Sequence, residues 1–191
     1  VEYYDQTAGT PTQVQRMVEE RGAQADKDLK AAFGNKQPAD AQPVVDTING
    51  ILSDPRLGER DLVRKYISPY LGKLTNEDGS LKTDPEALYG IRENITDQLS
   101  KAGKAETPGV AQASRQLMQL KASLDDAIES GAPGYRQYLT NFSDASRPID
   151  AMEYLQDARP SLTNAQGTLA PAAFDRRVAD VRERRDEYDG V

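Results

Sequence analysis

The feature that most constrains this chain is a heptad repeat of apolar residues between positions 110 and 128. Steps of three and four residues separate its members, which are Val110, Ala113, Leu117, Leu120, Leu124 and Ala127 or Ile128. Such a repeat places its apolar side chains along one stripe of an α-helix, and that stripe must be covered by a second helix. The sequence therefore predicts a long amphipathic helix with a helical partner.

The segment before this helix supplies a matching stripe. Asp84-Pro85-Glu86 combines a capping residue, a proline at the first helical position and an acid in the first turn, which is typical of a helix start. Apolar residues follow at helical spacing at Leu88, Ile91, Ile95 and Leu99. Because the linker at 103–109 is short, the two stripes predict an antiparallel αα-hairpin of 85–102 against 108–130.

Helical patterns cover the rest of the chain as well. Thr10-Pro11 predicts a helix start, Gly34-Asn35 its end, and Pro43 the start of a second helix. Pro69 predicts a kink or an early end in the helix that follows, because proline lacks a backbone donor. No segment of useful length alternates apolar and polar residues. The predicted fold is all-α, an elongated multi-helix bundle with an antiparallel hairpin and short loops that lead into helices.

The second half of the chain is also punctuated by prolines. Gly131-Ala132-Pro133 ends the heptad helix, and Pro148 predicts a further interruption. Between them lies an aromatic stripe of Tyr135, Tyr138 and Phe142, for which packing in the core is the favoured interpretation. A last helix is predicted to start near Pro171, with apolar positions at Phe174, Val178, Val181 and Tyr188.

An eight-residue motif occurs twice. Leu74–Leu81 and Leu162–Leu169 are identical at five of eight positions, and each precedes a segment that starts with proline. Gly79 is expected in the left-handed conformation, with the loop folded back onto the next helix. A recurring loop is favoured over a true duplication, and pairing of the two copies as extended segments stays open.

The domain organisation predicted from these patterns is a single helical segment, 1–191, of a longer polypeptide. Three sub-units are distinguished within it. They are the N-terminal helices at 10–72, the hairpin with the proline-broken helix at 84–158, and the C-terminal helix at 170–189.

The charge balance disfavours nucleic acid as a partner. The chain carries a net charge of −7, which repels phosphate backbones at long range, so we expect no direct binding to nucleic acid. The most basic stretch alternates with acids and is interpreted as a self-paired, solvated helix face; its arginines are Arg176, Arg177, Arg182, Arg184 and Arg185. No apolar run approaches the roughly 20 residues of a transmembrane segment.

The residue types needed for most catalytic and metal chemistry are missing. The sequence contains no histidine and no cysteine, which removes the commonest general base, thiol nucleophiles and typical zinc ligands. A calcium loop around Gly79 fails because Leu74 and Pro85 stand where acids are required. The acids at 86, 93, 125, 126 and 129 are interpreted as solvated helix faces. The prediction is a protein that is not an enzyme, with no catalytic residues, no cofactor and no metal.

Candidate partner-binding residues lie at the proline breakpoints, where interrupted helices leave apolar side chains without a helical partner. They are Tyr66, Tyr70, Tyr135, Tyr138 and Met152. In isolation these side chains are expected to fold back into the core, and in an assembly to dock on a neighbouring subunit. Surface acids such as Glu129 are expected to matter less.

Three segments resemble very large proteins of tailed bacteriophages and prophages. The main one is Tyr135–Glu153, a tyrosine-rich helix that leads into Ser146-Arg147-Pro148-Ile149 and then Met152-Glu153. The segments Pro85–Arg92 and Leu124–Ile128 are similar to those proteins too. The likeness extends over about residues 14–180, and its individual motifs are short.

This resemblance implies a virion structural component, often an internal or ejection protein that is released into the host envelope with the genome. It implies protein partners, namely other copies of the chain or neighbouring virion proteins, and a homo-oligomer. Many such proteins carry an enzymatic domain elsewhere, such as a murein-cleaving one, of which this segment shows no motif. The alternative is a helical adaptor or effector binding module of bacterial origin.

Overall fold

The computed structural model describes residues 8–56, 60–102 and 108–162, together with residues 173, 175, 176 and 179. Within those ranges the chain forms seven α-helices and no strand. They are α1 (Pro11–Gly34), α2 (Gln42–Ser53), α3 (Arg60–Ile67), α4 (Pro69–Leu74), α5 (Pro85–Ala102), α6 (Pro108–Gly131) and α7 (Tyr135–Leu162). The prediction of an all-α, multi-helix bundle is confirmed.

Two helix starts predicted from the sequence carry side-chain caps. The backbone N–H of Gln13 donates to Thr10 Oγ1 at 3.2 Å, and that of Glu86 donates to Asp84 Oδ1 at 3.2 Å. In both helices proline occupies the first position, where a backbone donor would have no intrahelical partner. Each cap stabilises its helix by about 1 kcal/mol, which explains why these boundaries are readable from the sequence.

The sequence predicts helix breaks at three prolines, and the structure confirms two of them. α3 ends at Ile67 and α4 begins at Pro69, while Pro133 lies between the end of α6 and the start of α7. The prediction for Pro148 is wrong, because α7 runs without interruption from Tyr135 to Leu162.

The continuity of α7 through Pro148 has a local explanation. Proline removes one backbone donor, the one that the carbonyl of Asp144 would receive. Asp144 and Pro148 are both exposed, so water can satisfy that carbonyl. Ile149 and Leu155 are 2% and 3% exposed in the same helix, and their burial outweighs the net value of one hydrogen bond, about 1 kcal/mol.

α5 and α6 form the predicted hairpin and share the most extensive helix packing in the described ranges. Because residues 103–107 alone connect them, two long helices in such contact run antiparallel. The predicted stripes face inward, with Leu99 half-buried and the other members buried at Leu88, Ile91, Ile95, Leu117, Leu120, Leu124 and Ile128.

The segment between α1 and α2 is fastened to the end of this hairpin. The N–H of Gln37 donates to the carbonyl of Gly131 at 2.6 Å, and the N–H of Ala39 to that of Thr83 at 2.7 Å. A Cβ atom at position 131 would lie 2.7 Å from the Gln37 carbonyl oxygen and 2.8 Å from Pro85 Cγ. Glycine at 131 therefore permits the close approach of three chain segments.

The first copy of the repeated motif forms the turn predicted for it. Gly79 has φ +85°, and Thr75 and Leu81 pair in an isolated antiparallel bridge. The N–H of Asn76 donates to the Ser80 carbonyl at 2.8 Å. The second copy, at 162–169, lies almost wholly outside the described residues, so the preference for a recurring loop over a duplication stays a prediction and pairing of the two copies stays open.

The chain divides into two compact units, which are described separately. The hairpin unit comprises residues 28–138, and the terminal unit comprises residues 1–27 and 139–191. These ranges differ from the predicted divisions at 10–72, 84–158 and 170–189. Of the predicted C-terminal helix, residues 173, 175, 176 and 179 are helical, and Phe174, Val178, Val181 and Tyr188 lie outside the described residues.

Candidate functional site

The five predicted partner-binding residues differ in burial. Tyr70, Tyr135 and Tyr138 are 1%, 0% and 8% exposed, whereas Tyr66 and Met152 are half-buried. The buried tyrosines are thus core side chains in this structure, as expected for the chain in isolation. Their docking on a neighbouring subunit stays a prediction.

Tyr135 stands at the centre of an aromatic cluster in the hairpin unit. Its ring lies 6.5 Å from that of Phe33, 6.0 Å from Tyr89 and 5.7 Å from Tyr138, measured between ring centroids. The hydroxyl groups of Tyr89 and Tyr138 are hydrogen-bonded at 3.2 Å. The cluster joins the last turn of α1 and the beginning of α5 to the first turn of α7.

A mostly buried ion pair adjoins this aromatic cluster. Asp125 Oδ1 accepts a hydrogen bond from Arg92 Nε at 2.9 Å and another from the Tyr135 hydroxyl at 2.8 Å. The side chains of Arg92 and Asp125 are 12% and 17% exposed. A second acceptor, Glu93 Oε1, lies 2.9 Å from Arg92 Nη1. We refer to Arg92, Asp125 and Tyr135 as the polar triad.

Electrostatics in the triad favour charged arginine and protonated tyrosine. Burial raises the pKa of Tyr135, and burial together with the Tyr138 hydrogen bond raises the pKa of Tyr89. Burial alone would lower the pKa of Arg92, but its neighbours Tyr135 and Asp125 raise it. At neutral pH both phenols therefore remain hydrogen-bond donors, whereas a general base needs a pKa near the working pH.

One further charged side chain borders the triad. Burial, followed by repulsion from Arg92, lowers the pKa of Lys121. Lys121 lies one helical turn before Asp125 on α6, so its ammonium group shares the site with the arginine.

The start of α7 is held by two more acids of α6. Glu129 accepts hydrogen bonds from the backbone N–H of Arg136 at 2.7 Å and from that of Gly134 at 3.3 Å. Asp126 pairs with the Arg136 side chain. An acid at a helix N-terminus satisfies free N–H groups and complements the helix dipole. Glu129 is therefore a helix cap from a neighbouring helix, not merely the solvated acid that its sequence position indicates.

Sequence reasoning missed the triad because it interpreted Asp125 as a solvated acid. The missed signal is positional: Arg92 follows the stripe residue Ile91, and Asp125 follows the stripe residue Leu124. In an antiparallel hairpin the positions that flank the seam meet across it, and opposite charges there pair. The hairpin prediction thus contained the pairing, although the partner helices had to be aligned in register to reveal it.

The terminal unit presents a different aromatic contact. Phe142 is 38% exposed, so the interpretation that places it in the core with Tyr135 and Tyr138 is wrong. The guanidinium carbon of Arg21 lies 4.8 Å from the centre of its ring, and Arg21 Nη1 donates to Ser146 Oγ at 2.9 Å. A cation stacked on an aromatic face tolerates solvent, which allows Phe142 to stay at the surface. In the hairpin unit, Met118 is the other exposed large apolar side chain of the described ranges, at 52%.

Two further observations limit the chemistry of the described residues. Among them, no group of three or more His, Cys, Asp or Glu side chains is placed to hold a metal ion. None of the helices in those ranges has both the length and the apolar character needed to cross a membrane.

Comparisons with protein-family models, curated proteins and solved structures give no match to this chain. The resemblance to phage proteins therefore stays a prediction, which rests on the residues quoted for it. The geometry of the two units carries the functional argument.

Proposed function

We propose that this chain is a non-enzymatic structural and interaction module of a tailed-phage virion. In this proposal it is part of an internal or ejection protein that assembles with other virion proteins and assists genome delivery. The observation that carries the proposal is the exposure of Phe142. This aromatic side chain lies inside the segment 135–153, which resembles phage proteins most strongly.

In this proposal the module binds its partners through exposed surface side chains and not through a pocket. Aromatic and methionine side chains are enriched at the centres of protein interfaces, where binding buries them. Phe142 and Met118 are the large apolar side chains that the described ranges leave exposed, and Met152 is half-buried. The partners are further copies of the chain or neighbouring virion proteins, and the site of action is the phage particle and then the host envelope.

The tyrosine cluster supports this proposal through its chemistry. Burial raises the pKa values of Tyr135 and Tyr89, and the Tyr135 hydroxyl donates to Asp125. These polar contacts therefore stabilise the packing of the helices. A rigid helical surface suits assembly, because a preformed interface loses less conformational entropy on binding.

The test compares an exposed aromatic with an exposed acid. Phe142→Asp should reduce incorporation of the protein into virions, or delivery of the genome, while the helical circular dichroism signal stays unchanged. Met152→Asp should act in the same direction. Glu77→Ala is the matched control, since Glu77 is exposed in the 74–81 turn. Mass spectrometry of purified virions and plating efficiency provide the measurements.

Tyr138→Asp is expected to impair assembly as well, but for a mixed reason. Tyr138 is 8% exposed and belongs to the aromatic cluster, so the substitution disturbs the fold too. Absence of the protein from virions would favour the adaptor or effector alternative. Loss of activity from a single carboxylate substitution in a folded protein would reopen the enzyme hypothesis.

A further inference from the structure

Lys121 lies on α6 beside the polar triad, one helical turn before Asp125, and its side chain is half-buried. Like Asp125, it directly follows a leucine of the seam. Both residues therefore lie along the edge of the seam on which Arg92 of α5 pairs with Asp125. The ammonium group of Lys121 thus shares a partly buried strip of the hairpin with the guanidinium group of Arg92.

The carboxylates of this strip are bound to Arg92. Asp125 Oδ1 accepts hydrogen bonds from Arg92 Nε and from the Tyr135 hydroxyl, and Glu93 Oε1 accepts one from Arg92 Nη1. Lys121 forms neither a hydrogen bond nor an ion pair with any residue of the described ranges. Two cations therefore lie in the strip, and both nearby carboxylates hold the arginine.

Lys36 is a lysine in the opposite electrostatic environment. Its Nζ atom lies 2.9 Å from Asp84 Oδ1 and 2.9 Å from Glu86 Oε1, and hydrogen bonds to these acids raise the pKa of Lys36. Burial, followed by repulsion from Arg92, lowers the pKa of Lys121. A lysine that is desolvated and close to another cation holds more of its amine in the neutral, nucleophilic form. Lys121 is therefore the better nucleophile of the two, although Lys36 is the more exposed.

We propose that Lys121 is an acylation site, at which its ε-amine accepts the acyl group of a small acyl phosphate. The neutral amine attacks the acyl carbonyl carbon, a C–N bond forms, and the C–O bond to the phosphate breaks. The phosphate leaves with that electron pair and takes up the proton that the amine loses. The amide that results is uncharged, so acylation ends the repulsion between Lys121 and Arg92. The inference is independent of the function proposed above.

The test uses acetyl phosphate and the full chain at neutral pH, with peptide mass spectrometry to measure acetylation at each lysine. The rate at each lysine is divided by its rate in denaturing urea, which removes the effect of local sequence. Lys121 should then react about fivefold faster than Lys36, because the fraction of neutral amine sets the rate. Accessibility alone favours Lys36, so equal rates, or a faster reaction at Lys36, would overturn the proposal.

Variants of two acids on α5 test whether the neighbouring charges set the reactivity of Lys121. Glu93 favours the ammonium form of Lys121, so Glu93→Gln should raise the acetylation rate of Lys121 by about twofold. Asp97→Asn is the matched control, since Asp97 is an exposed acid one turn further along α5. The proposal is overturned as well if the two variants change the rate at Lys121 equally.

Discussion

The hairpin unit and the terminal unit hold their helices together by different means. In the hairpin unit, long aliphatic side chains fill a continuous seam, which the polar triad and the aromatic cluster extend to the start of α7. The described core of the terminal unit consists of Ala8, Val14, Ile149 and Leu155, and Arg21 and Gln156 add two polar or cation–π contacts each. Buried apolar area sets most of the stability, so we expect the hairpin unit to contribute most of the free energy of unfolding.

The largest expected effect tests the seam of the hairpin unit. Leu120 is 0% exposed, and Leu120→Asp places a charge without a partner among apolar side chains. The free energy of unfolding should fall by about 3–5 kcal/mol. Thermal melts followed by circular dichroism measure it. Met118→Asp is the control on the same helix, because Met118 is 52% exposed; similar melting temperatures for the two variants would contradict the seam.

The next effect tests the polar triad. Asp125→Asn removes the charge that pairs with Arg92 and weakens the acceptor of Tyr135, so the free energy of unfolding should fall by about 1–3 kcal/mol. Asp126→Asn is the matched control, since Asp126 and Arg136 form an ion pair whose side chains are 64% and 61% exposed. That exposed pair should contribute less than about 1 kcal/mol. Equal losses in urea titrations would show that burial does not strengthen the Arg92–Asp125 pair.

A smaller effect is expected in the terminal unit. Arg21→Gln removes the cation over the Phe142 ring and the hydrogen bond to Ser146, which should cost about 0.5–1 kcal/mol. Arg16→Gln is the control on the same helix, because the Arg16–Glu20 pair is about 70% exposed on both sides. Hydrogen exchange of α7 amides near 142–146 reports the difference. Equal changes in hydrogen exchange for the two variants would show that the contact between Arg21 and Phe142 does not stabilise the unit.

The smallest effect at neutral pH concerns Tyr70, whose hydroxyl is buried and has no hydrogen-bond partner among the described residues. Tyr70→Phe should change the free energy of unfolding by less than about 0.5 kcal/mol, or raise it, because no hydrogen bond is lost. Burial raises the pKa of Tyr70 from 10.0 to about 12. The unfolded chain therefore loses this proton first, and stability present below pH 10 declines as the pH rises towards 12.

The measurement for Tyr70 is the melting temperature as a function of alkaline pH. Between pH 10 and pH 12, the wild-type melting temperature should fall more steeply than that of Tyr70→Phe. Parallel curves would mean that the Tyr70 hydroxyl reaches solvent in the folded protein.

The sequence predicts those parts of the fold that depend on local patterns. The caps at Thr10 and Asp84, the breaks at Pro69 and Pro133, and the seam of the hairpin all follow from residue type and spacing within a few turns. The predicted helix break at Pro148 is wrong because the helix can continue where solvent reaches the carbonyl that the proline leaves without a donor. Residue spacing does not reveal that exposure. The interpretation of Asp125 as a solvated acid is wrong for a related reason. A carboxylate beside a seam is solvated or paired according to the residue that the partner helix places opposite it.

The candidate site is less predictable than the fold for the same reason. Tyr135 and Tyr138 share a face with Phe142 by spacing, yet the first two enter an aromatic cluster and Phe142 stays exposed beside Arg21. Arg21 and Ser146 are 125 residues apart. Contacts between positions so distant in sequence depend on the tertiary fold, which a single sequence constrains weakly.

The close approach at Gly131 has a consequence for how this chain can evolve. Every substitution there adds at least a Cβ atom, and the nearest obstacles are the Gln37 backbone carbonyl, the Ala39 Cβ and the ring of Pro85. Gly72 and Gly90 have open space at the same point, so those codons can drift while codon 131 cannot. Among diverging descendants, an unchanged glycine ahead of a variable tyrosine-rich helix would be a durable signature by which distant relatives are recognised.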